Sequence, residues 1–256
     1  MIIYGLNPIL EALRAGGVRH LWVGGRADRR VQEVLRLASA AGVPVQHVDP
    51  SHLDRAARGG LHQGVVAEIA DAASYDVADL LRLAHGTPLV VVLDGVEDPH
   101  NFGAILRVAD AAGVDGVVRQ TRRAAGLDGV AAKASAGAMA HVRIATVVNV
   151  ARAIEELKDA NVWTVGLAGD AAACYCDLDL TLPTAVVLGS EGTGLRRIVR
   201  AKCDRLASIP MRGQIGSLNV SVAAGVVLFE AVRQRRGVAG PDGERRVGGG
   251  PGGPRG

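Results

Sequence analysis

Apolar runs alternate with helical periodicities through the second half of the chain. Five apolar runs predict buried strands, over residues 88–93, 116–118, 162–167, 184–188 and 206–209. Apolar residues at helical spacing predict helices near 102–112, 150–159, 194–202 and 217–236. Strands that are apolar throughout and alternate with helices indicate a mostly parallel sheet covered on both faces. We therefore predict an α/β domain over residues 87–236.

A smaller α/β unit is predicted over residues 1–71. Strands are expected over 21–23, 43–48 and 65–69, a helix over 31–41, and a flexible glycine-rich loop over 59–64. Asn7 is in position to cap a first helix that has Pro8 at its first position. A polar, alanine-rich stretch over 72–86 predicts a linker, and the Gly/Pro/Arg-rich residues 237–256 predict a disordered tail.

Composition narrows the class of protein. With 48% hydrophobic residues the chain is too apolar to be disordered, and with 3% aromatics its core must be aliphatic and no platform for stacking bases is visible. The longest apolar stretches fall short of the ~20 residues that span a bilayer. No cationic segment followed by a long apolar one marks a secretory signal, so we expect a cytoplasmic protein that does not enter a membrane.

The net charge and the cysteine content give little information about the function. The formal net charge is +3, and residues 233–256 carry six basic and two acidic side chains, so the positive balance belongs largely to the tail and is weak evidence for nucleic acid. Cys174, Cys176 and Cys203 form neither a closed disulfide framework nor a good zinc set. We expect reduced, buried thiols and no metal site.

The loops that follow the strands carry the candidate chemistry, because ligands of such sheets gather at the carboxyl ends of strands. In the first of these loops Asn101 is expected to cap a helix, and Arg107 to project from the helix away from the core. Asn101, Gly103 and Arg107 together suit a phosphate at the helix N-terminus, while an ordinary capped helix with a surface arginine is an equal alternative.

Two further loops follow buried strands. Residues 189–194 place glycines as G-x-x-G-x-G, which matches neither the dinucleotide fingerprint nor a Walker A loop, and Glu191 is expected to be buried and paired. In the segment after the last strand, Ser217 fits an N-cap and Asn219 falls in the first turn of an otherwise apolar helix. A purely structural hydrogen bond is the alternative for Asn219.

Taken together, the three loops carry a specific signature. They read N-x-G-x-x-x-R from Asn101, L-G-x-E-x-x-G-L from Leu188, and I-P-M from Ile209 followed by S-L-N-V-S-V-A from Ser217. In order, spacing and context this resembles the SpoU/TrmH branch of the SPOUT methyltransferases. Longer matches, such as L-D-G-V at 93–96 and H-Q-G at 62–64, look most like its bacterial 23S rRNA guanosine ribose methyltransferases.

The resemblance covers residues 1 to about 236. It implies methyl transfer from S-adenosylmethionine to a ribose 2′-OH of RNA, most simply a guanosine of 23S rRNA. It also implies a Rossmann-like α/β domain closed by a C-terminal trefoil knot, behind a small ribosomal-protein-like RNA-binding domain. The implied partners are RNA rather than DNA, and a second copy of the chain in a homodimer.

The family's site residues carry over onto matching positions. The methyl donor is expected to lie against Leu167, Ala168, Gly169, Leu188, Gly189, Ile209 and Leu218, with a side chain at Gly189 occupying its space. Asn101, Ser217 and Asn219 would orient the ribose, and Glu191 would fix Asn101 or the knot loop. Arg107, near the donor bound by the other subunit, would orient the target phosphate and stabilise a developing alkoxide, because a guanidinium is a poor base.

Other functions stay open at this point. A non-catalytic or antibiotic-resistance relative on the same scaffold would bind rRNA without this reaction, although the intact Asn101, Arg107, Glu191 and Asn219 argue against a dead enzyme. A different rRNA or tRNA nucleotide is a second alternative. A small-molecule α/β enzyme that uses a nucleotide would leave the RNA-type N-terminal unit unexplained.

Overall fold

The computed structural model describes residues 2–25, 28–69, 75–121, 129–135 and 137–236. The predicted tail over 237–256 and part of the predicted linker lie outside the described residues. The described chain forms two sheets, one of four strands and one of seven. No helix in the described ranges is both long and apolar enough to cross a bilayer.

The four-stranded sheet belongs to the N-terminal unit. Its strands are β1 (Ile2–Tyr4), β2 (Val18–Val23), β3 (Val45–His47) and β4 (Val65–Ile69), in the order β1-β4-β2-β3. Its helices are α1 (Leu6–Arg14), α2 (Arg29–Ala40) and α3 (Pro50–Ala56). Apolar side chains of α1 and α2 pack with one face of the sheet, and Leu53 of α3 packs with the other.

The predicted cap of the first helix is wrong. The residue before α1 is Gly5, which makes no side-chain cap, and Asn7 lies inside the helix. The Asn7 Oδ1 atom instead accepts a hydrogen bond from Arg30 at 2.5 Å. The sequence cue failed because Pro8 occupies the third helical position rather than the first.

The seven-stranded sheet is parallel throughout, as the apolar runs predicted. Its strands are β5 (Leu89–Asp94), β6 (Gly116–Gln120), β7 (Ile144–Val147), β8 (Trp163–Leu167), β9 (Ala173–Cys174), β10 (Thr184–Gly189) and β11 (Arg205–Ser208). Their order is β7-β6-β5-β10-β8-β11-β9. The five predicted strands are confirmed, and β7 and β9 were missed.

Helices cover both faces of this sheet. They are α4 (Val77–Arg82), α5 (Pro99–Ala111), α6 (Gly129–Ala134), α7 (Val150–Asp159), α8 (Arg197–Lys202) and α9 (Val220–Arg236). Val91 and Leu93 of β5 pack in one core with α5 and α9, while Val90 and Val92 pack in the other with α4, α7 and α8. Because β5 is buried on both faces, its apolar residues do not alternate with polar ones.

Helix α4 lies inside the stretch that was expected to be a linker. Asp76 and Asp79 form a capping box at its start, and Val77 and Leu80 are buried against the second sheet. Residues 77–82 therefore pack with the second domain instead of forming a free connector. The domain boundary itself stays a prediction.

Candidate active site at the carboxyl edge of the parallel sheet

The first loop leads from β5 into α5, and its cap differs from the prediction. Asp98, not Asn101, caps α5, and its carboxylate accepts hydrogen bonds from the backbone N–H groups of His100 at 3.1 Å and Asn101 at 3.3 Å. Asn101 lies in the first turn and is 8% exposed. Because a carboxylate already satisfies these N–H groups, the proposed phosphate site at this helix N-terminus is wrong.

Gly103 packs against helix α6, whereas Arg107 on the same helix α5 faces solvent. A Cβ atom at Gly103 would lie 2.4 Å from the Ala134 Cβ and 2.6 Å from the Ala131 carbonyl oxygen, so this glycine lets α5 and α6 pack closely. Arg107 is exposed, as predicted, and it makes no hydrogen bond or ion pair with another residue in the described part of the chain. Its guanidinium is therefore available to a ligand or partner.

The Asn219 side chain connects the three loops that carry the sequence signature. Its Nδ2 atom donates hydrogen bonds to the Asn101 Oδ1 at 2.8 Å and to the Glu191 Oε1 at 2.6 Å. Its Oδ1 accepts from the backbone N–H of Ser221 at 2.9 Å, so Asn219 caps α9 and the predicted cap at Ser217 is wrong. Glu191 is paired as predicted, but it is exposed rather than buried because it lies at the rim of a cavity.

That cavity has a volume of about 510 Å³ and lies between the loops after β8, β10 and β11. Its lining includes all seven residues predicted to contact a methyl donor, namely Leu167, Ala168, Gly169, Leu188, Gly189, Ile209 and Leu218. It also includes Glu191, Ser217 and Asn219. Of the other predicted residues, Asn101 lines an adjoining second cavity, and Arg107 lines neither.

The first cavity fits S-adenosylmethionine in size and chemistry. Its volume falls in the range of about 300–1,000 Å³ typical of small-molecule sites. Leu188, Ile209 and Leu218 offer aliphatic surface, and the exposed Glu191 carboxylate offers a negative charge to a cationic sulfonium. At Gly169 a Cβ would meet nothing nearer than the Gly216 carbonyl oxygen at 3.9 Å, so the cavity is open beside this backbone.

The expected reason for the glycine at 189 is wrong. A Cβ there would lie 2.1 Å from the Gly194 carbonyl carbon and 2.3 Å from the Leu195 nitrogen. The side chain would collide with the loop's own backbone before it reached the cavity. Gly189 is therefore required for closing the loop over residues 189–195.

Sequence reasoning missed the ion pair that holds two of the loops together. Asp94, at the end of β5, is fully buried, and it accepts hydrogen bonds from the Arg196 backbone N–H at 2.8 Å and side-chain Nε at 2.6 Å. Arg196 Nη2 also donates to Gln120 at 3.0 Å. The signal was an aspartate that ends an otherwise apolar strand, which indicates a buried charge in need of a partner.

A second missed pair lines the donor cavity. Arg200 donates two hydrogen bonds, at 2.8 and 3.0 Å, to the two carboxylate oxygens of Asp170. The hydrogen bonds from Arg200 hold the pKa of the Asp170 carboxyl below its usual value. This pair joins the loop after β8 to helix α8 at the cavity.

The cysteines are not buried as expected. Cys176 is exposed, Cys174 and Cys203 are partly exposed, and all three are free. Donor atoms of Cys174, Cys176 and Asp177 lie within 4.8 Å of one another. The hydrogen bond with Cys174, followed by desolvation, raises the pKa of Cys176 to about 11.

Comparison with known proteins gives consistent matches. The family model described as SpoU rRNA Methylase family matches residues 88–229, and the model described as RNA 2′-O ribose methyltransferase substrate binding matches residues 2–75. A Yersinia pestis protein named 23S rRNA (guanosine-2′-O-)-methyltransferase RlmB is 46% identical over 91% of this chain and 97% of its own length. A Pseudomonas aeruginosa protein of the same name is 44% identical over 91% and 96%.

Solved structures agree with these matches. The SpoU methyltransferase AviRb from Streptomyces viridochromogenes, in complex with the cofactor AdoMet, has a TM-score of 0.78 to this chain. The two are 28% identical, and the alignment covers 93% of this chain and 91% of AviRb. The likeness therefore extends over both domains.

Proposed function

Since the chain belongs to the SpoU rRNA methylase family, we propose that it transfers a methyl group from S-adenosylmethionine to the ribose 2′-OH of a guanosine in 23S rRNA. The observation that carries this proposal is the pair of hydrogen bonds from Asn219 to Asn101 and Glu191 at the rim of the 510 Å³ cavity. The names of the Yersinia and Pseudomonas relatives support the substrate, and the AviRb complex supports the methyl donor. The reaction requires no metal.

The bound donor supplies an activated methyl group on a sulfonium, so the protein's task is alignment and charge stabilisation. Leu188, Ile209 and Leu218, with the backbone of residues 167–169 and Gly189, hold the donor. Ser217, Asn101 and Asn219 orient the ribose, and Glu191 fixes the Asn219 amide. These roles rest on the shared cavity and the hydrogen bonds that join its rim.

Arg107 acts as a cation and not as a base. A guanidinium is always protonated in proteins, and the exposed Arg107 has no competing acidic partner in the described chain. It orients the phosphate of the target nucleotide and stabilises the alkoxide that develops on the ribose oxygen. Its position outside the donor cavity agrees with a role toward RNA.

The N-terminal unit holds the rRNA, and a second copy of the chain completes the enzyme. Support for the first comes from the substrate-binding family model over residues 2–75. Support for the homodimer comes from α9, where Val222 and Phe229 are 51% and 49% exposed two turns apart on one face. We expect Phe229→Asp to give a folded monomer by analytical ultracentrifugation, whereas an unchanged dimer would place the interface elsewhere.

Unmodified transcripts of 23S rRNA, 16S rRNA and tRNA, incubated with labelled S-adenosylmethionine, test the proposed function. We expect label in 23S rRNA only. We also propose that the protein acts in the cytoplasm, where its rRNA substrate is assembled into ribosomes. Label in tRNA or 16S rRNA would favour a different target nucleotide. Donor binding without label in any RNA would favour a non-catalytic relative and would contradict the proposal.

A further inference from the structure

A second cavity of about 400 Å³ adjoins the donor cavity at the start of α5. The two share the wall formed by Ser190, Glu191, Thr193 and Val220. The rest of the second cavity is lined by Asp94, Gly95, Val96, Glu97, Asp98, Asn101 and Arg196. A group held there lies beside whatever the donor cavity holds.

Four carboxylates line this second cavity, and one of them is free. Asp94 binds Arg196, and Asp98 accepts from the backbone of α5. Glu191 accepts from Asn219. Glu97 is exposed and makes no hydrogen bond or ion pair within the described chain. Both of its oxygens are therefore available as acceptors.

The four carboxylates do not form a cation site. Among the described residues, the single group of acidic, histidine or cysteine donors close enough to hold a metal is the one at Cys174, away from this cavity. A phosphate would also be repelled by the acidic lining. A neutral occupant with N–H donors fits the cavity best.

Asn101 adds a second and independent sign of a ligand. It is 92% buried, because its exposed fraction is 8%, and it lines the second cavity. Its Oδ1 accepts from Asn219, but its Nδ2 donates to no residue in the described ranges. This nitrogen is not among the fully buried, unpartnered atoms of the described residues, so it is reached from the cavity, where a bound ribose oxygen can accept its hydrogen bond.

We propose that this cavity holds the guanosine to be methylated, splayed out of its RNA stack, and that Glu97 selects the base. Guanine presents two adjacent donors, N1–H and N2–H₂, on its Watson–Crick edge, and one carboxylate accepts both. Adenine and cytosine each offer a donor beside an acceptor, and uracil offers a single donor between two carbonyls. The inference rests on the proposed function and names the residue that gives it base specificity.

Glu97→Gln tests the inference, because a glutamine amide offers one acceptor and one donor and so matches adenine rather than guanine. The target guanosine is first mapped on a 23S rRNA transcript with the wild-type protein, and a second transcript carries adenosine at that position. The values of kcat/KM are measured on both transcripts. Asp159→Asn is the matched control, since it removes an exposed carboxylate at the end of α7, across the sheet from the site.

We expect Glu97→Gln to lower kcat/KM on the guanosine transcript about 5- to 150-fold, the range of one bidentate base contact. The adenosine transcript should lose nothing, and donor affinity by calorimetry should stay unchanged. If Glu97→Gln leaves the ratio of kcat/KM on the guanosine transcript to kcat/KM on the adenosine transcript unchanged, even through an equal loss on both, the role of Glu97 is overturned. The proposed function would still stand. Wild-type protein that methylates no guanosine would overturn the proposed function, and this inference with it.

Discussion

Asn219 both caps α9 through its Oδ1 and joins Asn101 to Glu191 through its Nδ2, and replacing it by aspartate separates these two roles. Aspartate caps a helix as well as asparagine does, so the start of α9 is preserved. The Nδ2 donor, however, becomes an oxygen that faces the Glu191 Oε1 at 2.6 Å and the Asn101 Oδ1 at 2.8 Å. Two hydrogen bonds are thereby lost, and two carboxylates are brought together.

The size of the effect follows from those contacts. A hydrogen bond to a charged group contributes about 1.5–3 kcal/mol and a neutral one about 0.5–1.5 kcal/mol. Repulsion between the two carboxylates at this distance adds about 1.6 kcal/mol in water, which Glu191 can avoid by rotating into solvent because it is exposed. Asn219 and Glu191 are both exposed, so water competes for the bond between them, and we expect Asn219→Asp to lower the free energy of unfolding by about 1–2 kcal/mol.

Urea unfolding measures this loss, with Asn149→Asp as the control. Asn149 caps α7 through the same kind of bond, to the Ala151 backbone N–H at 2.9 Å, and its amide nitrogen donates to no described residue. That control should change stability by less than about 0.5 kcal/mol. Equal unfolding curves for the two variants would refute the role given to Asn219.

The remaining predictions concern the donor cavity, the RNA side and the end of α9. Gly189→Ala should fail to fold stably because of the backbone clash, whereas Gly169→Leu should melt near the wild type yet lose donor affinity by calorimetry; equal affinity would exclude the cavity. Arg107→Ala should keep donor affinity and lower methylation at saturating RNA, with rescue by Arg107→Lys only if charge alone matters. Arg235 donates to four backbone carbonyls, so Arg235→Lys should cost about 2–4 kcal/mol in urea unfolding, and no cost would show these bonds to be dispensable.

The strands and the cavity could be predicted because their signals are local or carried by the resemblance. Continuous apolar runs identified β5 and β10, and the seven donor-site residues predicted from the resemblance line one cavity. The short strand β9, with two residues, gives no periodicity to read. Pairs that join distant segments, such as Asp94 and Arg196, also leave no pattern in sequence, because 102 positions separate them.

The residues that cap the helices, and the knot, are harder to predict from the sequence. Asp98 and Asn101 are both good N-cap residues, as are Ser217 and Asn219, and only the observed backbone shows which residue of each pair precedes the helix. The trefoil knot stays a prediction of the family resemblance. The strand order gives the neighbours of each strand, and a knot depends on which segment passes through a loop.

Nucleoside mass spectrometry of a methylated 23S rRNA transcript shows directly whether the protein methylates the ribose of a guanosine. The transcript is treated with the protein and S-adenosylmethionine carrying a deuterated methyl group, then digested to nucleosides. We expect one deuterated product, 2′-O-methylguanosine, formed in a smaller amount by Arg107→Ala. A deuterated methyl group on a base, or on the ribose of another nucleoside, would contradict the proposed function.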